Sequence, residues 1–221
     1  MRTESMRSQP PSSARASKRT ATRTDKRVDK GVATRAALLV AGRELFGERG
    51  FAATATDDVV ARAGVTKGAL YHHFTNKEDL FRAVFEEVCK EVSDLAVELF
   101  LLPDSWEALV VGCNRWIDAN LDPTVLRIAL RDARAVLEWG VVQDIETRYS
   151  AVAIRGALRK ARYAQVIDEQ PLRPLSLMLL GALREACLYV ADADDPVVAR
   201  AEVSVLVDRL LCSLRPAEAS V

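Results

Sequence analysis

Hydrophobic positions along most of the chain recur with the period of an α-helix. The first such stretch places Leu38, Gly42, Leu45 and Phe46 at i, i+4, i+7 and i+8, which is one face of a helix. Stripes of the same period follow as far as residues 203–214, and no strand-like alternation longer than about four residues interrupts them. The pattern therefore predicts an all-α protein of about nine helices.

Glycines and capping residues divide the first part of this helical pattern into short elements. Gly47 and Gly50 are predicted to end the first helix. Thr54 is followed three residues later by Asp57, a capping-box-like spacing that predicts the start of a second helix.

The segment Ala63–Gly64–Val65–Thr66 joins the second helical pattern to a third. A turn of three to four residues that contains glycine is typical of a helix-turn-helix. Gly64 is predicted to end one helix, Val65 to fill the space between the two, and Thr66 to cap the next. The third helix then presents its first turn outward, as a helix that enters the DNA major groove must.

Charge is distributed unevenly, although 31 basic and 31 acidic residues give a formal net charge of zero. Residues 1–30 carry nine basic and three acidic residues with almost no large apolar side chain, so we predict a disordered basic arm. A helix-turn-helix DNA-binding domain is predicted over residues 31–80, and an acidic helical domain over residues 81–221. The basic front of the chain is the part expected to meet a polyanion.

Composition argues against several other classes of protein. No run of about 18 apolar residues and no signal-peptide core are present, so we expect no membrane partner and a cytoplasmic location. The four cysteines lack CxxC spacing and are predicted to be free thiols. The only histidines are His72 and His73, so we expect no His-based catalytic triad, no metal site and no cofactor.

The most informative stretch, residues 50–80, reads GFAATATDDVVARAGVTKGALYHHFTNKEDL. Together with the preceding ELFGERGF, it resembles the DNA-binding domain of the TetR (tetracycline-repressor) family of bacterial transcription regulators over about residues 34–82. The rest of the chain resembles the family only in length, helix count and apolar last helices. Thr56 departs from the family pattern, which usually has an apolar residue there. The resemblance implies a three-helix DNA-binding domain followed by a helical ligand-binding and dimerisation domain.

The resemblance also implies which residues contact DNA. Lys67, Tyr71 and Lys77 are expected at phosphates, because cations and a phenol hydroxyl near helix N-termini bind them. Gly68 and Ala69 lie on the first turn of the recognition helix, where small side chains allow close approach to the groove.

Thr54, Thr66 and His72 complete the predicted DNA-contacting set. Both threonines have an equally good interpretation as helix caps. For Tyr71 the alternative is partial burial in the core, and for Lys77 it is a solvated position at the start of a helix.

Aromatic and apolar side chains with a few polar neighbours are what small-molecule pockets need. The pocket candidates are Trp106, Cys113, Trp116, Asn120, Arg131, Trp139, Tyr149 and Met178. For each of them the alternative is ordinary core packing. Arg131 also belongs to a helical stripe with Arg127 and Arg134, for which a solvated or salt-bridged surface is the alternative.

The last two helical patterns predict a dimer. The first, PLSLMLLGALREACLYVA, is apolar nearly all round, which is typical of a helix buried on several sides. Two such helices from each subunit would form a four-helix, two-fold interface. The predicted interface residues are Leu179, Leu180, Leu183, Leu206 and Leu210. The alternative is that both helices serve a monomer core.

These patterns favour a homodimeric repressor that a small-molecule effector releases from a pseudo-palindromic operator. Within the same class, the alternatives are an activator and a regulator that needs no ligand. An enzyme is disfavoured, since the chain has neither a P-loop nor a glycine-rich dinucleotide fingerprint. A nucleoid-type protein that binds DNA without sequence preference is a further alternative.

Overall fold

The computed structural model describes the backbone of residues 13–97 and 102–216 and the side chains of residues 30–95 and 102–216. Within those ranges the chain forms nine continuous helices and no strand, which confirms the predicted fold class. Two helices contain a π-helical stretch, here named π1 and π2. The elements are α1 (Ser13–Ala53), α2 (Thr56–Ala63), α3 (Lys67–His73), α4 (Lys77–Val97), α5 (Ser105–Asn120), α6 (Pro123–Val125) continuing through π1 (Leu126–Asp132) into α7 (Ala133–Val136), α8 (Trp139–Glu146) continuing through π2 (Thr147–Ala151) into α9 (Val152–Tyr163), α10 (Leu172–Ala191) and α11 (Pro196–Cys212).

Helix α1 differs from the prediction at both ends. Its backbone is helical from Ser13, so the predicted disorder of the arm is corrected for residues 13–30, while residues 1–12 lie outside the described residues. The helical backbone is consistent with a segment rich in alanine, arginine and lysine that lacks glycine and proline. Gly47 lies within the helix, and only Gly50, with φ of +82° and ψ of 167°, interrupts it.

The N-terminal helices pack around a small aromatic core. Phe46 of α1 and Phe81 of α4 are fully buried, with ring centroids 5.2 Å apart in an edge-to-face arrangement. Val59 of α2 and Leu70 of α3 are also fully buried. Helix α4 contacts both α1 and α5, so it joins this core to the C-terminal helices.

The C-terminal helices bury a second part of the same core, in which α5, α9 and α10 contact one another. Among the described residues, one helix, α10, has the length and apolar composition of a membrane span. Its Leu179, Leu183 and Cys187 are buried in the protein core, so we interpret α10 as a core helix. The four cysteines are free thiols, as predicted, and burial raises the pKa of the Cys113 thiol to about 12.

The end of α1 is held against α6 and π1. The Phe51 N–H donates to Asp132 Oδ2 at 2.7 Å, and Arg127 Nη1 donates to the Glu48 carbonyl at 3.1 Å. A Cβ atom added at Gly47 would lie only 2.5 Å from Thr124 Cγ2. The helix that precedes the helix-turn-helix is therefore in direct contact with the C-terminal domain.

Candidate nucleic-acid interface and internal cavity

The turn between α2 and α3 has the predicted construction. Gly64 adopts a left-handed backbone conformation with φ of +65°, which ends α2. Residues with a Cβ atom rarely adopt this conformation. Val65 is partly buried against the core, and its N–H donates to the Val60 carbonyl at 3.0 Å. Thr66 Oγ1 accepts from the Ala69 N–H at 3.2 Å, which confirms Thr66 as the N-cap of α3.

This turn fixes which face of α3 meets solvent. Leu70 is fully buried and anchors the helix, whereas Lys67, Gly68, Tyr71 and His72 are exposed. A Cβ added at Gly68 would have no neighbour nearer than Thr66 Oγ1 at 4.0 Å. The first turn of α3 is therefore an open surface that a DNA groove can approach.

Lys67, the predicted phosphate contact, already has an anionic partner. Its ammonium lies 2.7 Å from Asp57 Oδ1 on the first turn of α2, and both side chains are mostly exposed. The hydrogen bond that the Lys67 ammonium donates to Asp57 raises the pKa of Lys67. A DNA phosphate would therefore have to compete with the Asp57 carboxylate for this cation.

Thr54 was assigned wrongly, both as a cap and as a DNA contact. It is 1% exposed, and its hydroxyl donates to the carbonyls of Gly50 at 2.8 Å and Leu45 at 3.2 Å. Helix α2 begins two residues later, with Ala55 at its N-cap. The break at Gly50 changes the chain direction and turns the Thr54 hydroxyl toward the end of α1.

Lys77 is also more deeply involved in the fold than predicted. Its ammonium donates to the carbonyls of Phe51 at 2.8 Å and Thr54 at 3.0 Å, and it lies 4.1 Å from the centre of the Phe51 ring. Two of its three donors are therefore used inside the protein. Lys77 ties α4 to the α1–α2 connection, so the predicted phosphate contact would have to use its third donor.

A small cavity of about 20 Å³ lies among α4 and the C-terminal helices. Its lining residues are Phe85, Val88, Cys89, Val92, Trp116, Asn120, Ala129, Leu130, Glu146, Ser150, Leu180 and Arg184. Of the eight predicted pocket residues, it includes Trp116 and Asn120.

Three other pocket candidates lie on the outside of the protein. Trp139 is largely exposed beneath the Arg134 guanidinium, which lies 4.7 Å from the ring centre. Met178 is 71% exposed. Arg131 pairs with Asp192 at 2.6 Å, as the salt-bridge alternative anticipated.

The remaining three candidates also lie away from the cavity lining. Trp106 is half-buried with Arg215 over its ring, and Cys113 is buried in the core. The Tyr149 hydroxyl donates to Glu86 at 3.0 Å. Residue type alone thus selected Trp116 and Asn120, which line the cavity, together with six residues that do not.

The cavity also contains a buried carboxylate, Glu146, which was not among the predicted site residues. Glu146 lies 3.3 Å from Arg134 Nη2 and 3.7 Å from Arg184 Nη1. Burial raises the pKa of Glu146, although both arginines oppose that shift. A signal was present, because Glu146 falls on the apolar helical stripe of Val142 and Ile145.

The predicted dimer residues divide into two groups. Leu179 and Leu180 are buried within their own chain, which argues against their assignment to a subunit interface. Leu183 is also buried, but it lines a groove between α10 and α11 together with Leu206 and Leu210. Leu206 is 60% exposed and Leu210 is 44% exposed. The sequence of a helix that is apolar all round does not show which of its faces is buried in its own core. Here the packing of α10 on α5 and α9 determines the buried face.

The exposed recognition helix, its supporting turn and the attached helical domain define a helix-turn-helix DNA-binding regulator. Comparison with protein families agrees: the model for bacterial regulatory proteins of the tetR family matches residues 38–84, and that for the tetracyclin repressor-like C-terminal domain matches residues 106–214. The chain belongs to the TetR family of transcription regulators.

Individual relatives support the same family. A TetR-family transcriptional regulator from Pectobacterium atrosepticum is 30% identical, with a TM-score of 0.74 over 86% of this chain and 97% of that one. The transposon Tn10 TetC protein of Escherichia coli is 27% identical over 58% of this chain and 64% of its own length. The transcriptional activator FasR of Mycolicibacterium smegmatis is 44% identical over 38% of this chain and 39% of its own length. The chain thus spans less than two thirds of these two curated relatives.

Proposed function

We propose that the protein is a homodimeric repressor that binds a pseudo-palindromic operator and is released from it by a small-molecule effector, in the cytoplasm and without catalysis. The observation that carries the proposal is the first turn of α3, where Lys67 and Gly68 are exposed and Ala69 is partly exposed while Leu70 anchors the helix beneath them. The Gly64–Thr66 turn holds that orientation. Such a helix can enter the major groove with its N-terminal residues at base edges.

The exposed side chains divide by chemistry. Lys67 and Tyr71 offer a cation and a hydroxyl for phosphates, which position the protein without reading sequence. Gly68, Ala69 and His72 occupy positions for base contacts, where a small residue accepts a thymine methyl and an imidazole accepts or donates a hydrogen bond. Thr66 caps the helix and is proposed to lie beside the DNA backbone.

A footprint with competitor DNA tests the regulator proposal. We expect a protected, two-fold related sequence upstream of the protein's own gene that survives excess unrelated DNA. Lys67→Ala should weaken binding to all sequences about equally, whereas Ala69→Leu should change the preferred sequence. Binding that competitor DNA abolishes would support the nucleoid-type alternative instead.

The dimer proposal rests on the exposed apolar face of α10 and α11. Met178 and Tyr189 of α10 and Leu206 and Leu210 of α11 are all exposed large side chains. Apolar residues grouped on adjacent helices are typical of a subunit interface. A two-fold axis through this face would present two copies of α3 to successive major grooves, about 34–36 Å apart.

Leu206→Arg tests this interface. The substitution should leave helical content unchanged and give a folded monomer that loses operator binding, because an unpaired charge would be buried on association. Tyr163→Arg is the matched control, since Tyr163 is 92% exposed outside the proposed face. Sedimentation, circular dichroism and a gel shift measure the three properties. A Leu206→Arg protein that stays dimeric would move the interface elsewhere.

Activation in place of repression is the second candidate. It is favoured by the 44% identity with FasR, which is named an activator, although the repressor BepR of Brucella suis is 41% identical over 51 residues. Transcription in vitro from the footprinted promoter separates the two, because a repressor lowers transcript yield and an activator raises it.

A further inference from the structure

The internal cavity contains a hydrogen-bond donor without a partner. Trp116 is 7% exposed and lines the cavity, and its Nε1–H has no acceptor among the described residues. Most buried polar groups in proteins are hydrogen-bonded, since an unpaired one keeps its full desolvation penalty. The indole N–H is therefore available to donate to a molecule that enters the cavity.

The same cavity contains an acceptor with spare capacity. The Glu146 carboxylate also lines it, and its two arginine partners lie at 3.3 and 3.7 Å, both longer than a strong charge-assisted hydrogen bond. An ionised carboxylate has about four acceptor sites. Glu146 can therefore accept a further hydrogen bond without losing either arginine.

We propose that this cavity binds a small, neutral, largely apolar molecule with a hydroxyl group, such as a phenol or a simple alcohol. The hydroxyl oxygen accepts from Trp116 Nε1, and its proton is donated to Glu146. Phe85, Val88 and Leu180 enclose the apolar remainder. The assignment rests on the proposed function only in taking this molecule to be the effector.

Other ligand classes fit these groups less well. A hydrocarbon leaves the Trp116 N–H unpaired. A carboxylate places a second negative charge beside Glu146 and must share Arg134 and Arg184 with it. A hydroxyl group accepts from the indole and donates to the carboxylate at the same time, whereas neither a hydrocarbon nor a carboxylate does both.

The cavity must expand to take such a molecule. Its volume of about 20 Å³ holds one water. Ala129 and Leu130 belong to π1 and Ser150 belongs to π2. Such π-helical turns are rare and are frequently found at functional sites. We expect these two walls to move. Because π1 also holds the end of α1, its movement reaches the DNA-binding helices.

Nuclear magnetic resonance of the ¹⁵N-labelled full chain tests the ligand class directly. The three tryptophans give three indole N–H signals, which Trp106→Phe and Trp139→Phe assign by elimination. The probes are phenol, toluene and benzoate, which share one ring and differ in the polar group. Phenol should move the Trp116 signal and bind about tenfold more tightly than toluene or benzoate, the effect of about one net hydrogen bond.

Two variants connect the preference to the proposed groups. Trp116→Phe should lower phenol affinity about tenfold, to that of toluene, while Trp139→Phe leaves it unchanged. Glu146→Gln should reduce the preference for phenol over benzoate, because the charge that repels benzoate is gone. If Trp116→Phe does not fold, judged by circular dichroism, the shift of the wild-type indole signal decides.

The proposal is overturned if toluene or benzoate binds as tightly as phenol, or if phenol leaves the Trp116 signal in place. It is equally overturned if none of the probes binds and the cavity holds only water. A gel shift with the footprinted operator tests the regulator proposal separately. Phenol binding without operator binding would refute the regulator proposal and support the hydroxyl site. Operator binding without binding of any probe would support the regulator proposal and refute the hydroxyl site.

Discussion

Gly47→Ala is expected to disturb the contact between the two domains. The added Cβ would lie 2.5 Å from Thr124 Cγ2, 2.9 Å from its Oγ1 and 3.0 Å from its Cβ. Rotation of the threonine side chain relieves the first two contacts but cannot move its own Cβ. Helix α1 must therefore shift away from α6, which also strains the hydrogen bonds of Arg127 and Asp132 to the end of α1.

The sign of the effect is the informative quantity. Overpacking of this kind costs about 1–3 kcal/mol, and replacing a helical glycine by alanine returns about 0.5–1 kcal/mol. We expect a net loss of about 1–2 kcal/mol in the free energy of unfolding, or a Tm lower by about 2–8 °C. Gly31→Ala in the same helix has no atom within 4 Å and should raise stability instead.

Urea denaturation followed by circular dichroism measures both variants. The double variant Gly47→Ala/Thr124→Ala should recover part of the loss, because it removes the two nearest atoms and leaves only the Cβ contact. If Gly47→Ala is as stable as Gly31→Ala, the close approach of α1 to α6 does not exist and the proposed domain contact is refuted.

Three further substitutions test the helix-turn-helix itself. Thr54→Val should cost about 1–3 kcal/mol of stability in urea with base preference unchanged, and a loss of operator affinity without a loss of stability would restore Thr54 as a DNA contact. Lys77→Met should lower both the Tm and the affinity for all DNA sequences. Unaltered stability would show that the hydrogen bonds of Lys77 to Phe51 and Thr54 do not stabilise the fold. Asp57→Asn should free Lys67 and tighten DNA binding in a low-salt titration, with a steeper salt dependence. Weaker binding would show that Asp57 positions Lys67 for the phosphate.

The elements that the sequence by itself determined depend on interactions between near neighbours. Gly64 ends α2 because its backbone adopts a left-handed conformation there, and Thr66 caps α3 through an N–H three residues away. Leu38, Leu45 and Phe46 share one face by the helical period, and all three are buried. Local backbone geometry and hydrophobic periodicity depend on residues that are close together in the sequence. The helix-turn-helix motif and the fold class were therefore predictable.

Only the tertiary structure determined which residues far apart in the sequence are paired, buried together or line the same cavity. Lys77 has its partners 23 and 26 residues away, and nothing in its own neighbourhood distinguishes it from a phosphate-binding lysine. Leu180 and Leu206 are both leucines on apolar helices, yet one lies in the core and the other on the surface. Glu146 joins a cavity whose walls come from several helices. Burial and pairing of this kind depend on how helices pack, because each helix offers more apolar surface than any single neighbour covers.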